Sequence, residues 1–261
     1  MEFPIVYANG DSYTTPSTGV RVHADYLAEN LNGFLINNSI SGSCNRRIIR
    51  SSLYDIIEQR KQNPSQKIIA IISLSFELRS EVWIDDIAPE NKMDADRQQE
   101  SNFVTHSFST SQDWRKRMFS GTLVNPTLSN KRIQPSKFLD HYNSGRAYFY
   151  SPYAERINLL ADLIMFTASC KKYNINYLIF RGPLAEQLQS EHVIEFFKAE
   201  ITQNAQVVDL ENFGFCNWCC EQKFSPIDMF DRPTIAHYNS NAHEAFAKQV
   251  LLPKLEETKQ I

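Results

Sequence analysis

The segment that most constrains the fold is Lys67–Ser75, in which apolar and mostly branched residues follow one another almost without interruption. A strand with one face in water alternates apolar and polar residues, whereas this run offers apolar side chains to both faces. That pattern is typical of a central strand in a parallel sheet covered by helices on both sides. The sequence therefore predicts an α/β protein built around this strand.

Segments of strand and helix character alternate on either side of this run. The predicted strands are Phe3–Tyr7, Phe34–Asn38, Lys67–Ser75, Ile175–Phe180 and Ala205–Leu210. The predicted helices are Val20–Leu31, Asn45–Arg60, Ser151–Lys172, Leu184–Glu200 and Asn239–Leu255. Such alternation favours a three-layer α/β/α sandwich with a central parallel sheet of about five strands.

Residues 76–150 interrupt the alternation with polar, mixed-charge sequence and scattered aromatic residues. A connection between elements is typically about 4–6 residues long, so this stretch is too long to be a simple loop. We therefore predict a single domain over residues 1–261, in which residues 76–150 are an insertion with helices of its own. The insertion is expected to serve as a lid over the site or as an interaction surface, including one for a homo-oligomer.

Charge and hydropathy narrow the choice of partners. The chain has a formal net charge of −3 and a sequence pI near 6.1, so it offers no general attraction for a polyanion, and we expect no nucleic-acid partner. No apolar run is long enough to span a bilayer, and the first residues lack a basic region followed by an apolar signal segment. We expect no membrane partner and a cytoplasmic location.

The cysteines favour free thiols. There are five, an odd number, and three of them fall within Cys216–Cys220. Cys216 and Cys219 have the spacing of a zinc or redox pair, but a structural zinc site needs four ligands, and Cys44 or a histidine would have to complete it. We therefore predict free thiols in a reducing compartment, no bound metal and no cofactor.

The tripeptide Gly10-Asp11-Ser12 directly follows the first predicted strand. The carboxyl ends of parallel strands are where α/β proteins place their ligands and their chemistry. A serine hydroxyl at such a position becomes a good nucleophile when a general base takes its proton. We interpret Ser12 as the nucleophile; the alternative is a turn in which the serine caps a helix.

A base and oxyanion donors are available elsewhere in the sequence. His237 lies just before the last predicted helix, where a loop can return to the end of the first strand; the alternative is a histidine that caps this helix. A tetrahedral intermediate needs hydrogen-bond donors for its oxyanion. The candidates are the backbone amides of Ser12 and Gly42 and the side-chain amide of Asn45, which also suits a helix N-cap.

These segments resemble the sequence blocks of the SGNH or GDSL hydrolases. Gly10-Asp11-Ser12 resembles the block that carries the nucleophile, and Asn38–Gly42 resembles the block whose glycine amide contributes to the oxyanion hole. His237-Tyr238-Asn239 resembles the carboxyl-terminal block, whose histidine is the base. The resemblance implies a flavodoxin-like α/β/α fold with these roles. It covers the two ends of the chain and the strand–helix order between them, but not residues 76–150.

The first departure from the family pattern concerns the oxyanion hole. The third block of the family supplies an asparagine donor after its strand, whereas this chain has Ser75-Phe76-Glu77 there. Asn45 and Arg79 are the candidate replacements.

The second departure concerns the acid of the triad, which the family places three residues before the histidine. That position is Thr234 here. Asp231 is the first candidate to orient His237, and Asp228 is the alternative. Without either, the site would be a Ser–His dyad held by a backbone carbonyl, which predicts a slower enzyme rather than an inert one.

Together these residues predict a serine esterase, or a deacetylase of O-acyl groups, that works through an acyl-enzyme. The polar insertion favours a carbohydrate or another polar ester as the substrate. We predict that Asp11, Arg79 and Arg181 contribute to substrate binding. Two alternatives remain open: a binding or structural protein that kept the fold and lost efficient turnover, and an acyltransferase.

Overall fold

The structure is a computed structural model. It describes residues 3–17, 19–41, 43–76, 79–83, 103–105, 118–122, 152–183, 196, 199–201, 206, 213–229 and 236–258.

The described strands are β1 Ile5–Asn9, β2 Phe34–Asn37, β3 Ile68–Leu74, β4 Arg79–Trp83, β5 Phe103–Thr105, β6 Met118–Thr122, β7 Asn176–Arg181, β8 Pro226–Met229 and β9 Ala236–Tyr238. The described helices are α1 His23–Asn30, α2 Asn45–Gln62, α3 Pro152–Lys172, α4 Phe215–Glu221, α5 Ser240–Phe246 and α6 Leu252–Glu257, with a π-helical turn at Ala247–Leu251 between the last two.

Four parallel strands form the central sheet in the order β2-β1-β3-β7. Every residue of β3 is buried, because this strand has a neighbour on each side and helices on both faces. The prediction of a buried central strand is thus confirmed. The register pairs Asn9 with Ile72 and Leu74 with Arg181, so the strands end together at one edge of the sheet.

Helices cover both faces of the sheet, which confirms the predicted α/β/α layers. On one face, α2 and α3 pack against Ile68, Ala70 and Ile72 of β3. On the other face, α1, α4 and the carboxyl-terminal helices pack against Ile69 and Ile71. Successive side chains of a strand point to opposite faces, so one apolar strand supplies both cores.

The predicted strand at Ala205–Leu210 lies mostly outside the described residues. Gln206 is described, and its carbonyl accepts a hydrogen bond from the N–H of Ile179 at 3.1 Å. Further along, Gly214 forms a parallel bridge with Arg181. Both contacts place Gln206 and Gly214 beside β7, where the predicted fifth strand would pair; the strand itself stays a prediction.

The carboxyl-terminal helix differs from the single helix predicted over Asn239–Leu255. A π-helical turn at Ala247–Leu251 divides it. Pro253 lies two residues beyond this turn and has no N–H to donate, so the regular helical ladder is broken near this position. Of the helix predicted over Leu184–Glu200, the described residues 196, 199 and 200 are helical.

The insertion contains strands rather than the predicted helices in the part that the structure describes. There β4, β6 and β5 form an antiparallel sheet in that order. Most of residues 76–150 lies outside the described residues, so the role of lid or interaction surface stays a prediction.

None of the described helices is both long and apolar enough to cross a membrane.

Candidate active site

Ser12 lies in a tight turn directly after β1. The backbone carbonyl of Asp11 accepts hydrogen bonds from the amides of Thr14 and Thr15, both at 3.0 Å. The Asp11 Oδ1 atom accepts a third from the amide of Tyr13 at 3.2 Å. Asp11 is fully buried, whereas Ser12 is half-buried. The buried Asp11 therefore holds the turn together through its hydrogen bonds, and Ser12 lies at the edge of the sheet.

Gly10 is required by the close approach of neighbouring side chains. A Cβ atom at this position would lie 2.7 Å from Thr14 Oγ1 and 2.9 Å from Ser73 Cβ, which is closer than real Cβ contacts allow. The Gly10 amide donates to Asn9 Oδ1 at 2.9 Å. Asn9 Nδ2 donates in turn to the hydroxyls of two serines on α2, both at 2.9 Å. Asn9 thus ties the start of the turn to α2.

His237, which lies near the other end of the sequence, packs beside the turn that carries Ser12. It is the middle residue of β9 and is half-buried. Its ring lies against that of Tyr13, with the ring centroids 5.4 Å apart and an interplanar angle of 43°. Since Tyr13 directly follows Ser12, the imidazole lies beside the turn that carries the serine.

The two candidate acids differ in what the structure describes. The backbone register of the β8–β9 pair sets Asp228 directly opposite His237, after an irregularity that follows Pro226. Asp231 lies outside the described residues. The identity of the acid stays a prediction.

The side chain of Asn45 binds the backbone of Ser75, directly after β3. Its Oδ1 atom accepts a hydrogen bond from the Ser75 amide at 2.6 Å, and its Nδ2 atom donates to the Ser75 carbonyl at 3.1 Å. The expected N-cap role belongs instead to Cys44, whose Sγ accepts from the Arg47 amide at 3.4 Å. As an oxyanion donor, Asn45 stays a prediction, and so does Gly42, which lies outside the described residues.

The three residues predicted to bind substrate lie in different settings. Asp11 braces the turn as described above. Arg181 ends β7 at the same edge of the sheet and is only 1% exposed, so it belongs to the interior there. Arg79 begins β4, opposite Thr122. Contact of any of them with a substrate stays a prediction.

The cysteine-rich segment forms the short helix α4 and contacts the strand that carries the candidate base. Cys216 Sγ donates to the Ala236 carbonyl at 3.6 Å, and Cys220 Sγ lies 3.1 Å from the Tyr238 hydroxyl. These contacts fix the residues on both sides of the histidine. Burial raises the pKa of the Cys216 and Cys219 thiols, which keeps them protonated. All five cysteines are free thiols.

In the part of the chain that the structure describes, no group of three or more histidine, cysteine, aspartate or glutamate side chains is arranged to hold a metal ion.

A buried histidine pair lies behind the site and was missed by the sequence analysis. His23 on α1 and His243 on α5 place their Nδ1 atoms 3.2 Å apart, packed among Phe215 and other aromatic rings. Burial lowers the pKa of His23 to about 3. Burial also lowers the pKa of His243 well below its usual value, and the neighbouring His23 and His237 lower it further. The pair is therefore neutral at pH 7 and joins the two ends of the chain.

No family model and no curated protein matches the sequence. Solved structures are similar to this chain at low identity. One is EstA, a psychrotrophic esterase from Pseudoalteromonas sp., with 13% identity over 98% of this chain and 99% of that chain and a TM-score of 0.42. A second is a catalytic mutant of Axe2, an acetylxylan esterase from Geobacillus stearothermophilus, with 13% identity over 96% of this chain and 94% of that chain and a TM-score of 0.44. A third is TesA, with 13% identity over 97% of this chain and 98% of that chain and a TM-score of 0.42. In each case the similarity extends over nearly the whole length of both chains.

Proposed function

We propose that the protein is a serine hydrolase that acts on ester bonds, with Ser12 as the nucleophile and His237 as the general base. The observation that carries this proposal is the packing of the His237 ring against Tyr13, next to Ser12, at the carboxyl edge of the sheet. The half-buried Ser12 and the half-buried His237 come from opposite ends of the chain to the same turn, which supports a nucleophile and a general base for acyl transfer.

The reaction proceeds in two halves. Ser12 Oγ attacks the ester carbonyl carbon while His237 accepts the hydroxyl proton, and the carbonyl electron pair moves onto oxygen. The backbone amides of Ser12 and Gly42 donate to that oxyanion. The oxyanion collapses, the alcohol leaves with the proton from His237, and an acyl-enzyme remains. Water then attacks the acyl carbon with His237 again as base, which releases the acid and restores Ser12.

The substrate is a polar or carbohydrate ester. This assignment rests on the composition of residues 76–150, which are rich in polar and charged side chains with interspersed aromatic residues and contain no long apolar stretch that would line a groove for a lipid chain. Assays that compare acetylated oligosaccharides with long-chain acyl esters test this choice, and a preference for the long acyl chains would contradict it.

We assign the orienting acid to Asp228, since the strand register sets it directly opposite His237. Asp228→Asn is expected to lower kcat by a factor on the order of 10²–10⁴, because an orienting carboxylate fixes the imidazole tautomer and stabilises imidazolium. The matched control is Asp231→Asn, which is expected to leave kcat within about twofold of the wild type. A large loss in the Asp231 variant alone would give the role to that residue, and no loss in either variant would indicate a Ser–His dyad.

Hydrolysis of p-nitrophenyl acetate tests the assignment of the base. His237→Ala is expected to reduce kcat by about 10³-fold or more, because no group then takes the Ser12 proton. Thermal unfolding of the variant, followed by circular dichroism, serves as the control for folding. Full activity in a folded His237→Ala variant would contradict the assignment.

A further inference from the structure

A short chain of buried hydrogen bonds joins the start of α2 to the nucleophile turn. Asn45 binds both the amide and the carbonyl of Ser75, at 2.6 and 3.1 Å. The Ser75 hydroxyl donates to Asp11 Oδ2 at 2.6 Å. Asn45 is 6% exposed, and Ser75 and Asp11 are fully buried. We refer to these three residues as the Asn45–Ser75–Asp11 chain.

The chain ends one residue from the nucleophile. The other carboxylate oxygen of Asp11 accepts from the Tyr13 amide, on the far side of Ser12, at 3.2 Å. Both oxygens of one carboxylate therefore connect the end of β3 to the turn. A hydrogen bond to a carboxylate is short and strong. A buried carboxylate that loses such a donor pays the cost of desolvation without compensation, so its buried position becomes less stable. The Ser75 hydroxyl is thus one of the groups that hold the turn against the end of β3.

Placement matters because acyl transfer requires Ser12 Oγ to lie within hydrogen-bond reach of the base and in line with the ester carbon. The imidazole of His237 comes from a separate hairpin, β8–β9, which packs on α4. The turn needs its own support, which side chains on rigid elements provide best.

We propose that Ser75 is a positioning residue for the nucleophile: held by Asn45, its hydroxyl fixes the Asp11 carboxylate and thereby the place of Ser12. This inference rests on the proposed hydrolase function.

The test compares Ser75→Ala with Ser75→Thr and with a matched control. Ser75→Ala removes the hydroxyl and keeps the backbone groups that Asn45 binds, while Ser75→Thr keeps a hydroxyl. The control is Ser73→Ala, two residues earlier, in β3, and equally buried, whose hydroxyl makes no hydrogen bond within the described part of the chain. On p-nitrophenyl acetate we expect Ser75→Ala to lower kcat about tenfold or more with KM within about twofold, Ser75→Thr to regain part of the loss, and Ser73→Ala to match the wild type.

Amide hydrogen exchange provides a readout that does not depend on activity. The amides of Tyr13, Thr14 and Thr15 are expected to exchange several-fold faster in Ser75→Ala than in Ser73→Ala, since the turn loses its brace. Unchanged kcat in Ser75→Ala, or the same loss in Ser73→Ala, would overturn the positioning role while leaving the proposed function intact. If the wild type shows no hydrolysis that depends on Ser12, the proposed function fails. The positioning role then fails with it, and exchange still shows whether the Ser75 hydroxyl holds the turn: faster exchange in Ser75→Ala means that it does, and equal exchange means that it does not.

Discussion

Ser12→Ala is expected to abolish hydrolysis of p-nitrophenyl acetate, with kcat at least about 10³-fold below the wild type. The covalent step requires an oxygen nucleophile at this position, and alanine offers none. The buried brace of the turn does not involve the Ser12 side chain: it consists of the Asp11 carboxylate and carbonyl with the amides that they accept. The variant should therefore fold normally, which separates loss of chemistry from loss of structure.

A second serine on the same loop provides the matched control for this prediction. Ser17 is exposed, a few residues beyond the turn. Ser17→Ala is expected to keep kcat within about twofold of the wild type, as surface substitutions usually do. Steady-state assays of the three proteins, purified in parallel, settle the matter. Residual hydrolysis in Ser12→Ala equal to that of Ser17→Ala would show that another group, or a contaminant, is responsible.

The free energy of unfolding is expected to fall as the pH is lowered from about 6.5, because His23 and His243 are buried in the neutral form. The pKa of His23 is about 3 in the folded protein, against an ordinary value of 6.5. Between these two pH values the unfolded chain binds a proton that the folded chain does not, so acid favours unfolding. The stabilisation is complete above pH 6.5 and is lost as the pH falls toward 3. The slope is about 1.4 kcal/mol per pH unit for each such histidine, or roughly 2 kcal/mol between pH 6.5 and 4.5 for His23 alone.

Urea unfolding at several pH values checks this prediction. His23→Gln removes one titrating group and is expected to flatten the dependence on pH by about 1 kcal/mol per pH unit below pH 6. The substitution is also expected to lower the free energy of unfolding by a similar amount at every pH. That loss does not itself change the slope, so the flattening reports the removal of the titrating group. A variant with the same slope as the wild type would contradict the assignment of the buried neutral state to His23.

The sequence was sufficient to predict the central sheet and the position of Ser12 at the edge of that sheet. Lys67–Ser75 reads as a buried strand because both of its faces are apolar, and β3 occupies that place. Ser12 follows a strand whose end falls at the carboxyl edge of the sheet, as its neighbours in the sequence predicted. A long, continuous apolar run predicts a buried strand reliably, because the burial of apolar surface is the dominant favourable term in folding.

Short elements held by distant contacts could not be predicted. Helix α4 has only seven residues and depends on contacts with β9, and the β8–β9 hairpin lacks a clear alternation of apolar and polar residues. His23 and His243 are 220 positions apart, so the sequence around either histidine does not indicate that the two side chains are in contact. Asn45 illustrates a third limit, since its type suits an N-cap, an oxyanion donor or a bridge to β3, and only the tertiary contact distinguishes them.

Labelling with a fluorophosphonate, followed by mass spectrometry of the peptides, tests the central claim most directly. An activated serine Oγ displaces fluoride from the probe and forms a stable phosphonyl ester, whereas unactivated serines do not react. We predict a single adduct on Ser12 in the wild type, none in Ser12→Ala, and slow labelling in His237→Ala. An adduct on another residue, or no adduct on the folded wild-type protein, would contradict the assignment of Ser12 as the nucleophile.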